Sequence, residues 1–137
     1  MNWKHFGKVH SLLYRASGGR FGAKLGNIDC VLVETVGRKS GAKRVVPICC
    51  YPYKDSVVVS ASNSGMDRHP AWYYNLKAKP ECIAQLGTDR FAAVAEELPA
   101  EEAESLLPMI FDINDHQREY REQTDRPIPI VWLRRAY

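Results

Sequence analysis

The sequence predicts a mainly-β chain, an antiparallel barrel of about six strands with helices inserted between them. Six strand-length runs, at 28–36, 44–53, 56–61, 81–86, 90–98 and 128–133, are separated in several places by tight turns. Helical spacing appears only in the intervals, and it does not alternate strand by strand as a doubly wound parallel sheet requires. At 137 residues, the chain can fill one hydrophobic core without a second domain. Residues 1–137 therefore read as one domain, with 1–27 forming an N-terminal helix and a glycine-rich connector.

Each element follows from its residues. Phe6, Val9, Leu12 and Leu13 recur at helical spacing over 3–14. Gly18, Gly19, Gly22 and Gly26 end that helix, and 17–27 reads either as a linker or as the flexible lip of a site. The glycines do not follow a strand in G-x-G-x-x-G spacing, so no dinucleotide fold is expected. Strand 28–36 is apolar on both faces and should be central. Strand 44–53 carries Pro47, which removes a ladder donor and predicts an edge or a bulge. Lys54-Asp55 turns the chain into strand 56–61. A polar loop, Ser62-Asn-Ser-Gly-Met-Asp-Arg-His-Pro70, opens a helix over 71–79 that Pro80 closes. On that helix Trp72 shares a face with Asn75 and Leu76, and Tyr73 with Lys77, while Tyr74 points elsewhere. The hairpin 81–86/90–98 has Ile83, Phe91 and Val94 as inward candidates. Glu101, Glu102 and Glu104 begin a helix running through Leu106, Leu107 and Ile110, which Pro108 should kink or divide. A last helix over 115–123 leads into strand 128–133.

Composition narrows the function classes. The 19 basic and 16 acidic residues leave a net charge of +3, too little for a nucleic-acid tail. The N-terminus lacks the apolar core of a signal peptide and no run is long enough to span a bilayer, so a cytoplasmic location is expected. Cys30, Cys49, Cys50 and Cys82 lie in apolar runs without C-x-x-C spacing and read as reduced core residues. His5, His10, His69 and His116 are scattered, and no metal site is expected.

The chemistry points to the turn Gly37-Arg-Lys-Ser-Gly41. Two glycines let the backbone turn sharply while its N–H groups, Arg38 and Lys39 face one spot suited to a phosphate. Alone, the same residues make an ordinary solvated hairpin. In an antiparallel meander, however, this turn and the exit of strand 56–61 lie at one end of the sheet. Arg38, Lys39, Arg44, Asn63 and Arg68 then converge on one anionic ligand, with Trp72 and Pro47 as apolar walls.

Three stretches carry a resemblance: 35–47 (TVGRKSGAKRVVP), 61–80 (ASNSGMDRHPAWYYNLKAKP) and 124–131 (TDRPIPIV). In order and spacing they resemble the deazaflavin-dependent nitroreductase (quinone reductase) family, over about residues 13–131. The resemblance implies a split β-barrel binding the deazaflavin coenzyme F420. It implies that Arg38, Lys39, Ser40 and Arg44 hold the coenzyme's phosphate and oligoglutamate tail. Pro47, Ser62, Gly65 and Trp72 match residues lining the ring system, and Tyr120 matches an aromatic beside the substrate. The chain departs from the nitroreductase branch at Asn63, where that branch has a lysine, at Cys49, where it has a tyrosine near the ring, and at Gln117, where it has a second substrate-side tyrosine.

The expected reaction is hydride transfer from the reduced deazaflavin to an electrophilic small molecule: a quinone, an activated alkene or a nitro compound. The departures put nitro reduction in particular in question. Tyr120, Ser62 or water supplies the proton. Two rival readings stand. Related split barrels bind FMN or haem, and the basic turn suits a flavin phosphate equally well. A nucleic-acid module would use the basic turn with nearby aromatics, against which the low charge and the helical placement of those aromatics both weigh. Expected partners are a small-molecule electron acceptor, peripheral membrane contact if that acceptor is a lipid-soluble quinone, and no nucleic acid. The chain is expected to be a monomer or a homodimer.

Overall fold

The computed structural model describes residues 24–25 and 28–136. Its strands are β1 (Lys24–Leu25), β2 (Ile28–Val36), β3 (Lys43–Tyr53), β4 (Ser56–Ser60), β5 (Glu81–Leu86), β6 (Asp89–Glu97) and β7 (Ile130–Arg135). The helices are α1 (Ala71–Ala78), α2 (Ala100–Ile113) and α3 (His116–Gln123), with a short 3-10 turn at Asn63–Gly65. The sheet runs β1-β2-β3-β4-β7-β6-β5, and β5 pairs back onto β2, which closes six strands into a barrel. Every pairing is antiparallel. β2 is central, as its two-sided apolar pattern predicts, with partners on both edges.

Period-two alternation sorts the side chains into two cores. Val31, Val33, Ile48, Cys50, Val57, Val59, Cys82, Ala84, Ala93, Val131 and Leu133 form one cluster, to which α1 adds Tyr73 and Leu76. Each large aliphatic side chain withdrawn from water there contributes about 1.5–3 kcal/mol. The opposite face carries Tyr51, Val58 and Ile130, covered by Ile110 and the half-buried Ala103, Leu106 and Leu107 of α2.

Several expectations are corrected. The connector contains β1, whose Lys24 and Leu25 pair with Asp29 and Ile28. The expected helix over 3–14 lies outside the described residues. Ile83 and Val94 belong to neither core: Cys82, Ala84 and Ala93 are the buried apolar residues of the β5–β6 hairpin, and of the three candidates only Phe91 packs on the cluster. Pro47 is an edge residue and not a bulge. β4 pairs only with residues 50–53 of β3, so 43–49 has one unpaired edge, while the register with β2 runs unbroken from Cys30–Cys49 to Val36–Lys43. Pro108 does not divide its helix, because α2 runs through it to Ile113. Its missing N–H and ring clash cost about 3 kcal/mol in an isolated helix, and the packing of Leu106, Leu107 and Ile110 on the barrel outweighs that. No helix among the described residues is long and apolar enough to cross a membrane.

Candidate functional site

The basic turn is fixed by its own backbone. Gly37 N–H donates to the Ala42 carbonyl at 2.8 Å, and Gly41 N–H to the Gly37 carbonyl at 2.8 Å. The Ser40 hydroxyl accepts from Ala42 N–H at 3.2 Å, so it serves the turn itself. Gly41 has φ 72°, which glycine adopts without steric cost. Arg38 is drawn toward α1: its N–H and its Nη1 donate to Asn75 Oδ1 at 3.1 and 3.0 Å, and its guanidinium lies 5.0 Å from the centre of the Tyr74 ring. Lys39 and Arg44 are exposed and make no hydrogen bond or ion pair among the described residues. The neighbouring Lys43 is spent on Glu34, at 3.3 Å, together with Arg90 at 3.0 Å. Burial would raise the Glu34 carboxyl, but the hydrogen bonds from Lys43 and Arg90 outweigh it and hold that carboxyl below its ordinary range.

The second polar segment, 62–69, is held from a distance. Arg126 donates through Nε to the Met66 carbonyl at 2.8 Å, and through Nη2 to the carbonyls of Ala61 at 3.1 Å and Ser62 at 2.8 Å. Its Nη1 reaches His69 Nδ1 at 2.9 Å. Thr124 donates to Asp67 Oδ1 at 2.8 Å. Asn63 and Ser64 lie in the left-handed region, at φ 47° and 55°, and Asn63 Nδ2 donates to the Arg68 carbonyl at 3.0 Å. Asparagine tolerates that conformation better than most residues, so Asn63 shapes the loop. Gly65, at φ 79°, lies against α3: a Cβ there would come 2.8 Å from Gln123 Nε2 and 3.1 Å from Tyr120 Cα. The Ser62 residue is buried, and Arg68 is exposed.

Aromatic rings on α1 join the two segments. The His69 ring packs 4.7 Å from Tyr73 and 5.6 Å from Tyr74, the residue that also carries Arg38. Burial, followed by the charge of Arg126, lowers the pKa of His69, so a neutral imidazole accepts the Arg126 proton donor. The Tyr73 hydroxyl donates to Glu97, and burial together with that carboxylate pushes its pKa up to about 12. Arg38, Ser62, Gly65 and Tyr120 are thus linked through α1, the loop and α3. Trp72 is half-buried and packs onto the barrel cluster. Pro47 and Cys49 lie on the same face of β3, opposite Leu32 and Cys30, and no polar or ring contact joins them to the loop. Tyr120 stacks on His116 at 6.3 Å and makes no hydrogen bond among the described residues. On α3, Gln117 Oε1 and Arg121 Nε are buried without a partner, as is Asn114 Oδ1 just before the helix.

Sequence reasoning missed Asn75 and Arg126. Both stand inside stretches quoted above, but their partners lie 37 and about 60 residues away, and no local pattern names them.

The sequence model for the family described as F420H(2)-dependent quinone reductase matches residues 6–135. The chain is 33% identical over 132 residues to the F420H(2)-dependent quinone reductase Rv1261c of Mycobacterium tuberculosis, covering 93% of this chain and 89% of that protein. A solved F420-H2 dependent reductase, FDR-A, superimposes with TM-score 0.68 at 36% identity, over 74% of this chain and 90% of that one. A structure described as a domain-swapped dimer gives TM-score 0.71 at 31% identity, over 90% and 95%. These relatives share the split barrel and establish an oxidoreductase that uses coenzyme F420. The chain belongs to the F420H(2)-dependent quinone reductase family.

Proposed function

We propose that the turn at 37–42 holds the anionic end of reduced coenzyme F420, and that the 62–69 loop and α3 border the site where a quinone accepts the hydride. The observation that carries this reading is the pair of exposed cations, Lys39 and Arg44, without partners among the described residues, on a turn closed by its own backbone hydrogen bonds. That donor set fits a phosphate and a carboxylate tail. Each charge-assisted hydrogen bond it makes is worth about 1.5–3 kcal/mol before screening by water and salt. Arg38 has a different part. Asn75 and Tyr74 fix its guanidinium, so it holds the turn against α1 and offers the ligand only Nε and Nη2.

When bound, the coenzyme supplies the hydride. The protein orients the two reactants and excludes water, which is worth far more than any single contact. Trp72, Pro47 and Cys49 give apolar surface to the ring system. Tyr120, whose hydroxyl has no partner among the described residues, supplies the proton that completes reduction of the acceptor, and the buried Ser62 helps seat the ring. The solved domain-swapped dimer supports a homodimer for this chain, which sedimentation would read. Flotation with vesicles carrying a prenylated quinone would read peripheral membrane contact.

The test is a spectroscopic titration of the purified protein with coenzyme F420, followed by rapid mixing of its reduced form with menadione. Saturable binding and single-turnover oxidation are expected. Tyr120→Phe should slow turnover about 10²-fold, within the range typical of a lost acid catalyst, and leave coenzyme affinity unchanged. Absence of binding overturns the proposal; unchanged turnover in Tyr120→Phe overturns the role of that residue.

A further inference from the structure

Strands β2 and β3 set two thiols face to face. Cys30 and Cys49 are direct partners in the antiparallel register, and Leu32 and Pro47 are partners two residues along. Pro47 has no N–H, so the Leu32–Pro47 pair does not exchange both ladder bonds. Bonded and non-bonded pairs alternate, which makes Cys30–Cys49 non-bonded as well. That is the kind of pair that brings Cα atoms to about 4.5 Å with the side chains at their closest. Disulfides span Cα separations of about 4.4–6.8 Å. Each thiol is close enough to shift the ionisation of the other.

Strand geometry excludes the other pairings of the four cysteines. Cys50 follows Cys49 and points to the opposite face of the sheet, where it joins Cys82 in the barrel cluster. Cys50 and Cys82 sit on β3 and β5, on either side of β2: two strand spacings, about 9.5 Å, separate them across the sheet, and the registers offset them along β2 as well. That exceeds the roughly 7 Å a disulfide can bridge.

We propose that Cys30 and Cys49 are a hydroperoxide-sensitive pair that closes to an intramolecular disulfide, with Cys49 as the attacking thiol and Cys30 as the resolving one. The division of labour follows from position. Cys49 is half-buried and within reach of a small peroxide, whereas Cys30 is 2% exposed. The hydrogen bond from Cys30 favours the Cys49 thiolate and lowers its pKa, while the same bond, then burial, raises that of Cys30. Cys49 sulfur attacks one peroxide oxygen, the O–O bond breaks, and water leaves with Cys49 as a sulfenic acid. Loss of the Cys49 charge removes the main influence that kept Cys30 protonated. Cys30 sulfur then attacks Cys49 sulfur, the S–O bond breaks, and a second water carries off the Cys30 proton. Overall two thiols give up two electrons, and one peroxide becomes two waters. The proposal does not depend on the coenzyme reading.

The test treats the purified full chain with hydrogen peroxide, alkylates the remaining thiols after denaturation, and maps the peptides by mass spectrometry. The expected product is about 2 Da lighter than the reduced chain, with Cys30 linked to Cys49, two alkylated cysteines at 50 and 82, and full reversal by dithiothreitol. Cys30→Ser should leave Cys49 as a sulfenic acid that dimedone traps, and Cys49→Ser should abolish the reaction. Four alkylatable thiols after treatment of the folded chain, a link through Cys50 or Cys82, or a link between chains would overturn the proposal. The mapping is done on the unmodified chain and does not require either variant to fold.

Discussion

The basic turn and the 62–69 loop lie at one end of the barrel and are built on opposite principles. Apart from Arg38, which is tied to Asn75 on α1, the turn closes with hydrogen bonds between residues no more than five apart, which leaves Lys39 and Arg44 for a ligand. The loop instead depends on Arg126 and Thr124, far along the chain, and on close packing of Gly65 against α3. A segment that satisfies itself can devote its side chains to binding. A segment clamped from outside gains a fixed shape at the cost of dependence on its clamp.

That contrast can be broken at the clamp. Arg126→Ala should destabilise the fold by about 2–4 kcal/mol, because it leaves carbonyls of the loop without their donor in a partly buried setting. Denaturant unfolding would measure it. Arg126→Lys should recover little, since an ammonium cannot reproduce the planar fork.

The glycines sharpen the comparison. Gly65→Ala combines a positive φ with a Cβ 3.1 Å from the Tyr120 backbone, and should cost about 2–3 kcal/mol. Gly41→Ala has a similar φ but open space around it, so about 1 kcal/mol is expected. Equal losses would show that α3 gives way at Gly65.

Tyr73, on the helix between the two regions, provides a pH test. Its folded pKa, about 12, lies above the ordinary value of 10. The stabilisation is therefore fully present below pH 10 and disappears as pH rises through about 12, a loss of roughly 1 kcal/mol after allowance for water access. Tyr73→Phe should flatten that part of the stability profile.

The smallest effects on stability belong to the turn. Lys39→Ala and Arg44→Ala should each change unfolding free energy by less than about 0.5 kcal/mol. Each should nevertheless weaken coenzyme binding about 10-fold, most strongly at low salt. If affinity did not change, the anionic end would be held elsewhere.

The same division explains what could be read in advance. Strands, the central place of β2 and the turn were legible because alternation and glycine spacing are local signals. Arg126 and Asn75 were not, because their roles exist only once distant strands have closed the barrel. Ile83 and Val94 misled for a related reason. On β5–β6 the small residues Cys82, Ala84 and Ala93 fill the barrel, and a hydrophobicity reading favours their larger neighbours. Pro108 announced a break that tertiary packing overrides. Among the site residues, Arg38 and Ser40 were found in sequence for their chemistry, but the structure uses both to hold the turn as well.

Barrel closure has one further consequence, at the stretch of β3 from 43 to 49. Among the described strands this is the long edge that no neighbour covers, and it begins with Lys43 and Arg44 and contains Pro47. An open edge is a template on which another chain can add a strand and start an aggregate. The exposed charge of Arg44 repels a copy of the same edge, and a proline interrupts any ladder laid along it. The residues beside the basic turn therefore also protect solubility, and substitutions of Pro47 made to probe binding should be screened for aggregation before their affinities are compared.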